Sequence, residues 1–128
     1  MKAENIKFRA KRTDDGVWVY GDLAHVHRIN TKEQAEQSGR RSEPAVRVAN
    51  YDVDEETIGQ YTGLKDKNGR EIYEGDILRW RTYPVQVGWH EGAFCDCHMD
   101  MNILLSNHAL DSYTIIGNIH DNPELLTD

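Results

Sequence analysis

Cys95, Cys97 and His98, with His90 just upstream, are the residues whose types and spacing come nearest to a chemical site. Thiolate and imidazole are the ligands zinc prefers, but the familiar zinc knuckle separates its cysteines by two or more residues. Here one residue separates them, and no second cysteine pair follows. On a strand, Cys95 and Cys97 share one face while His98 points to the other, because side chains alternate. His90, Cys95, Cys97 and His98 are therefore weak metal candidates, and no metal or cofactor is expected. His25 and His27 also share a strand face; with no third ligand in view, they read as exposed strand histidines.

Carboxylates are the second source of possible chemistry. Asp66, Glu71, Glu74 and Asp76 flank two turn signals, Asn68-Gly69 and Glu74-Gly75. Paired carboxylates can act as general acid and base, yet an aspartate beside a turn also accepts backbone N–H bonds. The structural role explains these four more simply. Gly59 and Gly63 lack the lysine and the following helix of a phosphate-binding loop. No catalytic residue is assigned, and the chain is expected not to be an enzyme.

Binding is the remaining class. Trp18, Tyr20, Tyr61, Tyr73, Trp80, Tyr83 and Trp89 fall on expected strands beside turns. A small β domain needs most of its large side chains inside. Tyrosine can bury its ring and keep its hydroxyl wet, so Tyr61, Tyr73 and Tyr83 are the chosen binding candidates. Lys7 and Arg9, with Lys11 and Arg12, form the basic strand face that would accompany them.

These residues need strands to hold them. Ile6, Phe8 and Ala10 alternate with Lys7, Arg9 and Lys11, a two-residue period; with Gly16 at a turn and Val17 to Tyr20 returning, residues 5–21 read as a hairpin. Leu23 to Arg28 and Ala45 to Ala49 read as short strands. Between them, residues 31–44 are polar, and a loop is expected there, although Thr31 and Gln34 have capping-box spacing. Asn68-Gly69 predicts a two-residue hairpin turn with both residues at positive φ. Strands follow from Ile77 to about Tyr83, from Val85 to Trp89 and from Ser112 to Ile119. The region from Cys95 to Leu105 fits strand or helix equally. Asn122-Pro123-Glu124 predicts a capped terminal helical turn.

The run GQYTGLKDKNGREIYEGDIL resembles the signature of the YopX family of phage and prophage proteins. Phe8-Arg9-Ala10 with Trp18-Val19-Tyr20-Gly21-Asp22-Leu23 is similar to that family's opening. Ile115 to Ile119 with Asp121 to Leu126 is similar to its closing segment. The resemblance implies a mainly β fold with little helix, in which an N-terminal β-hairpin and strand extension (residues 1–56) precedes a small SH3-like barrel (residues 57–128). It implies a phage or prophage origin and no reaction. The polar insert near residues 31–44 and the Cys/His cluster near residue 95 depart from the pattern.

Composition sets the outer bounds. At 128 residues the chain can bury one modest core. A net charge of −7 argues against generic duplex binding. No apolar run is long enough to span a bilayer, and the N-terminus lacks a signal peptide's apolar stretch. The expectation is a protein of the bacterial host cytoplasm that has no membrane partner and keeps its cysteines as free thiols. It is expected to act through a protein partner or self-association. The alternative is nucleic-acid binding by the basic strand face and exposed aromatics.

Overall fold

The computed structural model describes residues 6–80, 83–90, 93–98, 101–104 and 113–126, with the backbone alone at 80, 83, 89–90, 93–98 and 101–104. The chain divides into two compact units, Lys7–Ile58 on one side and Gly59–Asp128 with Met1–Ile6 on the other. Both are built from strands, and the described residues include one α-helix.

In the first unit, β1 (Phe8–Lys11) and β2 (Trp18–Gly21) form an antiparallel hairpin. β3 (Leu23–Ile29), β4 (Ser42–Val48) and β5 (Tyr51–Asp52) form a second antiparallel sheet in that order. The two are tied by the amides of Thr13 and Asp54, which donate to the carbonyls of Asp52 and Lys11. Ala10, Val48 and Val53 are buried together, with Phe8, Val19, Leu23, Ala49 and Ile58 packed against them. Ala10 is buried and Phe8 partly so, but the expected alternation fails on either side of them: Arg9 is 6% exposed and Ile6 46%. Pro44 sits opposite His27. Ladder bonds run from Asn30 N to Arg41 O and from Ala49 N to Asp22 O at the two ends of this pair. Antiparallel bonds recur at every second residue, so Pro44, which has no N–H, falls where β3 requires none.

Residues 31–44 are not the expected loop. Lys32–Ser38 is a helix, α1, with a complete capping box: the Gln34 amide donates to Thr31 Oγ1 at 3.2 Å and the Thr31 amide to Gln34 Oε1 at 2.9 Å. Gly39 closes it in the left-handed conformation, its amide donating to the Ala35 carbonyl. The lack of an apolar face argued against a helix, and α1 indeed buries no residue. Its two caps satisfy end groups that a docked helix would also need satisfied.

In the second unit, β6 (Gly59–Lys65) and β7 (Glu71–Tyr73) form a hairpin with a register shift between Tyr61 and Lys65. β8 (Asp76–Trp80), β9 (Tyr83–His90), β10 (Ala93–His98), β11 (Met101–Leu104) and β12 (Tyr113–Asn118) make a five-stranded sheet in the order β11-β10-β9-β8-β12. The described strands end at β11 and β12 and are not closed into a barrel. The core is Ile72, Leu78, Val85, Val87 and Tyr113, with Ile115 against it. The segment open to either reading contributes strands at β10 and β11.

Two turns differ from expectation. Gly69 has φ +82°, but Asn68 is not among the residues at positive φ. The loop is instead wider: the Asp66 amide donates to the Arg70 carbonyl and the Gly69 amide to the Asp66 carbonyl, a turn followed by a left-handed glycine. The hairpin with both central residues at positive φ falls at Ala49 (52°) and Asn50 (66°), between β4 and β5. At the chain's end, Pro123–Leu126 is a 3-10 turn. The Asn122 side chain accepts from the Asn118 amide at 3.3 Å.

Thr31→Ala tests what holds α1. It is expected to cost about 1 kcal/mol of local helix stability, lowering hydrogen-exchange protection at Ala35 and Gly39. Because α1 buries nothing, the global urea midpoint should scarcely move.

Candidate functional site

The signature turn holds the most concentrated polar chemistry among the described residues. Asp66 is 5% exposed. Its Oδ1 accepts from the amides of Asn68 and Arg70, both at 2.9 Å, and its Oδ2 accepts from the Ile115 amide at 3.1 Å. Arg70 Nε lies 3.4 Å from Oδ2, and Arg70 Nη2 donates to the Ile115 carbonyl at 2.6 Å. Burial alone would push this carboxyl up. The amides of Ile115, Arg70 and Asn68, with the Arg70 charge, outweigh it and hold it below the ordinary aspartate value. A carboxylate so engaged is a poor general base, since its lone pairs already face backbone donors.

The second turn repeats this logic. Asp76 is 2% exposed, and its Oδ2 accepts from the Tyr73 amide at 2.8 Å. The Glu74 amide donates to the Gln60 carbonyl, the Gly75 amide to the Val87 carbonyl, and the Ile119 amide to the Gly75 carbonyl. A Cβ at Gly59 would strike the Glu74 carbonyl, so the close approach of β6 to this turn needs glycine there. Glu71 accepts from the Tyr73 hydroxyl at 3.2 Å. Asp66 and Asp76 therefore secure bends.

Two of the three tyrosines chosen for binding, Tyr61 and Tyr73, are buried. Tyr61 and Tyr73 face each other across the hairpin with ring centroids 5.4 Å apart, and they are 4% and 3% exposed. Their rings belong to the interior and offer no groove. The position pattern could not reveal this, because a tyrosine beside a turn looks alike buried or exposed. The side chain of Tyr83 lies outside the described residues, as do those of His90, Cys95, Cys97 and His98. Their backbones put Cys95 opposite Gly88 and Cys97 opposite Gln86.

The basic strand face is partly covered. Arg9 is 6% exposed, and its guanidinium lies 4.7 Å from the centroid of the Trp18 ring, with Lys11 Nζ 5.5 Å from the same ring. Cation–π attraction places both cations against one aromatic. Lys7 is half-buried. Tyr20, paired with Arg9, is exposed. Arg12 lies 4.3 Å from the centroid of Tyr51 and is bonded to Asp14 at 2.9 and 3.1 Å, while Arg47 pairs with Asp52 at 3.0 Å. The hydrogen bond from Arg12 is the main force holding the Asp14 carboxyl low. Arg12, Arg47, Tyr51, Asp14 and Asp52 line a polar cleft of about 300 Å³ whose charges already match one another. His25 and His27 are both exposed and line a separate cleft of about 380 Å³ with Val46, Pro44 and Glu55. No group of three His, Cys, Asp or Glu residues is placed to hold a metal ion among the described residues.

Replacing Asp66 by alanine strands three backbone donors. It is expected to destabilise the protein by roughly 2–4 kcal/mol in urea unfolding. The sign with pH follows from the lowered carboxyl: its contribution is complete above the ordinary aspartate value and fades as pH falls through the folded one. The gap between wild type and Asp66→Ala should therefore narrow in strong acid.

The family model described as YopX protein matches residues 7–127. A crystal structure of protein EF1440 from Enterococcus faecalis superposes with a TM-score of 0.61 at 29% identity, over 94% of this chain and 97% of that one. No curated protein matches the chain.

Proposed function

The chain belongs to the YopX protein family, and we propose that it is a non-enzymatic phage or prophage accessory protein that acts through protein–protein contacts. The phage assignment rests on the family resemblance. The contact mode rests on one observation: the Lys7–Ile58 unit leaves large apolar side chains in solvent, with Ile29 84%, Val17 54%, Tyr20 53% and Tyr51 44% exposed. Apolar and aromatic groups on a polar surface are what partner surfaces use. The engagement of Asp66 and Asp76 by backbone amides supports a role without catalysis. The SH3-like form of the C-terminal part belongs to the same reading, supported by the consecutive antiparallel run from β8 to β11. So does a place in the bacterial host cytoplasm; no helix among the described residues is long and apolar enough to cross a membrane.

A second reading, nucleic-acid binding, is favoured by the juxtaposition of Lys7, Arg9, Lys11 and Trp18 with exposed Tyr20 on the β1–β2 hairpin. Stacking on such a platform is tolerant of sequence and weakens steeply with salt.

Light scattering after gel filtration separates these readings. The contact reading predicts a mass above that of one chain at micromolar concentration, or a stoichiometric complex with a host or phage protein. A strict monomer that recovers no partner contradicts it. Retardation of single-stranded DNA or RNA at low salt, lost as salt rises, would favour the second reading, and none at low salt removes it.

A further inference from the structure

The two ladder bonds at the ends of the β3–β4 pair fix which groups of β3 face outward. Asn30 and Asp22 bond to β4, so Ala24, Val26 and Arg28 do as well, and Leu23, His25, His27 and Ile29 turn their N–H and C=O groups to the free edge. β3 is an outer strand of its sheet among the described residues. Natural edges are blunted by lysine, proline or a bulge. β3 has none of these over seven residues, and its one arginine, Arg28, is neutralised by Glu43 at 2.6 Å.

We propose that this edge pairs antiparallel with the β3 edge of a second copy, and that the pair builds a four-histidine site for a divalent transition cation of the zinc class. The proposal rests on the protein-contact reading and names the partner. A twofold axis through Val26 brings every outward backbone group of Leu23, His25, His27 and Ile29 opposite one from the other copy. Ile29, 84% exposed in a single chain, then lies across from Leu23. His25 lies directly across from His27, and both are exposed on one strand face.

Directly opposed residues in a bonded pair have Cα atoms about 5.5 Å apart, and residues two apart on one strand are roughly 7 Å apart. Four imidazoles in that array can converge on one tetrahedral cation. One chain supplies too few ligands, consistent with the absence of a three-ligand group among the described residues. Glu55 lines the same cleft, and its negative charge suits a cation there.

Sedimentation of the full chain, stripped with chelator and then titrated with zinc, tests this. Zinc should tighten dimerisation by about 5–150-fold, the usual range for coupled sites, and bind at one per two chains. The double variant His25→Ala/His27→Ala should keep the β-sheet spectrum and lose both zinc binding and its effect on mass. Ile29→Pro keeps both histidines and every bond to β4 but removes an outward N–H, so it should lose the dimer; Ile29→Lys serves the same purpose if the proline variant does not fold. Zinc bound at one per chain, no zinc bound, or a dimer indifferent to the Ile29 variants would overturn the proposal. An oligomer that ignores both zinc and Ile29 overturns it and leaves the contact reading standing. A chain that stays monomeric throughout and recovers no partner overturns both.

Discussion

One buried carboxylate holds the C-terminal unit together. Asp66 accepts two amides from its own turn and a third from Ile115 on β12, joining points 49 residues apart in sequence with a single charged group. Burying a carboxylate is costly unless its lone pairs are satisfied. Here they are, and the expense of desolvation becomes positional selectivity: the turn has to sit where Ile115 can reach it. Asp76 does the same on a smaller scale, fixing the bend between β7 and β8 through the Tyr73 amide.

This arrangement also decides which sheet edges are covered. The turn over residues 66–70 meets the outer side of β12, with the Lys67 amide on the Tyr113 carbonyl and Arg70 on the Ile115 carbonyl. Backbone groups that could recruit another strand are thereby satisfied within the chain. β3 carries no comparable cover among the described residues. The β12 edge of one unit is thus guarded, and the β3 edge of the other is bare among the described residues.

Much of this was legible from residue order. Alternation located β1 and β9, the turn at Gly16 located β2, and turn chemistry assigned Asp66 and Asp76 their structural work. Local signals failed where distant partners decide. Asn68-Gly69 suits a tight two-residue turn, but an Asp66 carboxylate bonded to both Asn68 and Arg70 favours the wider loop. The left-handed pair at Ala49 and Asn50 contains no glycine; Ala49 is held there by its bond to Asp22 and by packing in the core. α1 has no apolar face to signal it and is held by its caps, which a criterion based on burial ignores. Burial of Tyr61, Tyr73 and Arg9 depends on what lies above each strand face, and alternation along one strand cannot report that. The outward phase of His25 and His27 required the hydrogen-bond ladder.

Asp66 and Asp76, the most conspicuous acids of the chain, therefore serve its architecture. The most direct measurement is an NMR titration of the Asp66 carboxyl alongside the Ile115 amide. A midpoint below the ordinary aspartate value, with the Ile115 amide shifting in step, is predicted. A midpoint above that value, or an Ile115 amide indifferent to the titration, would contradict the account.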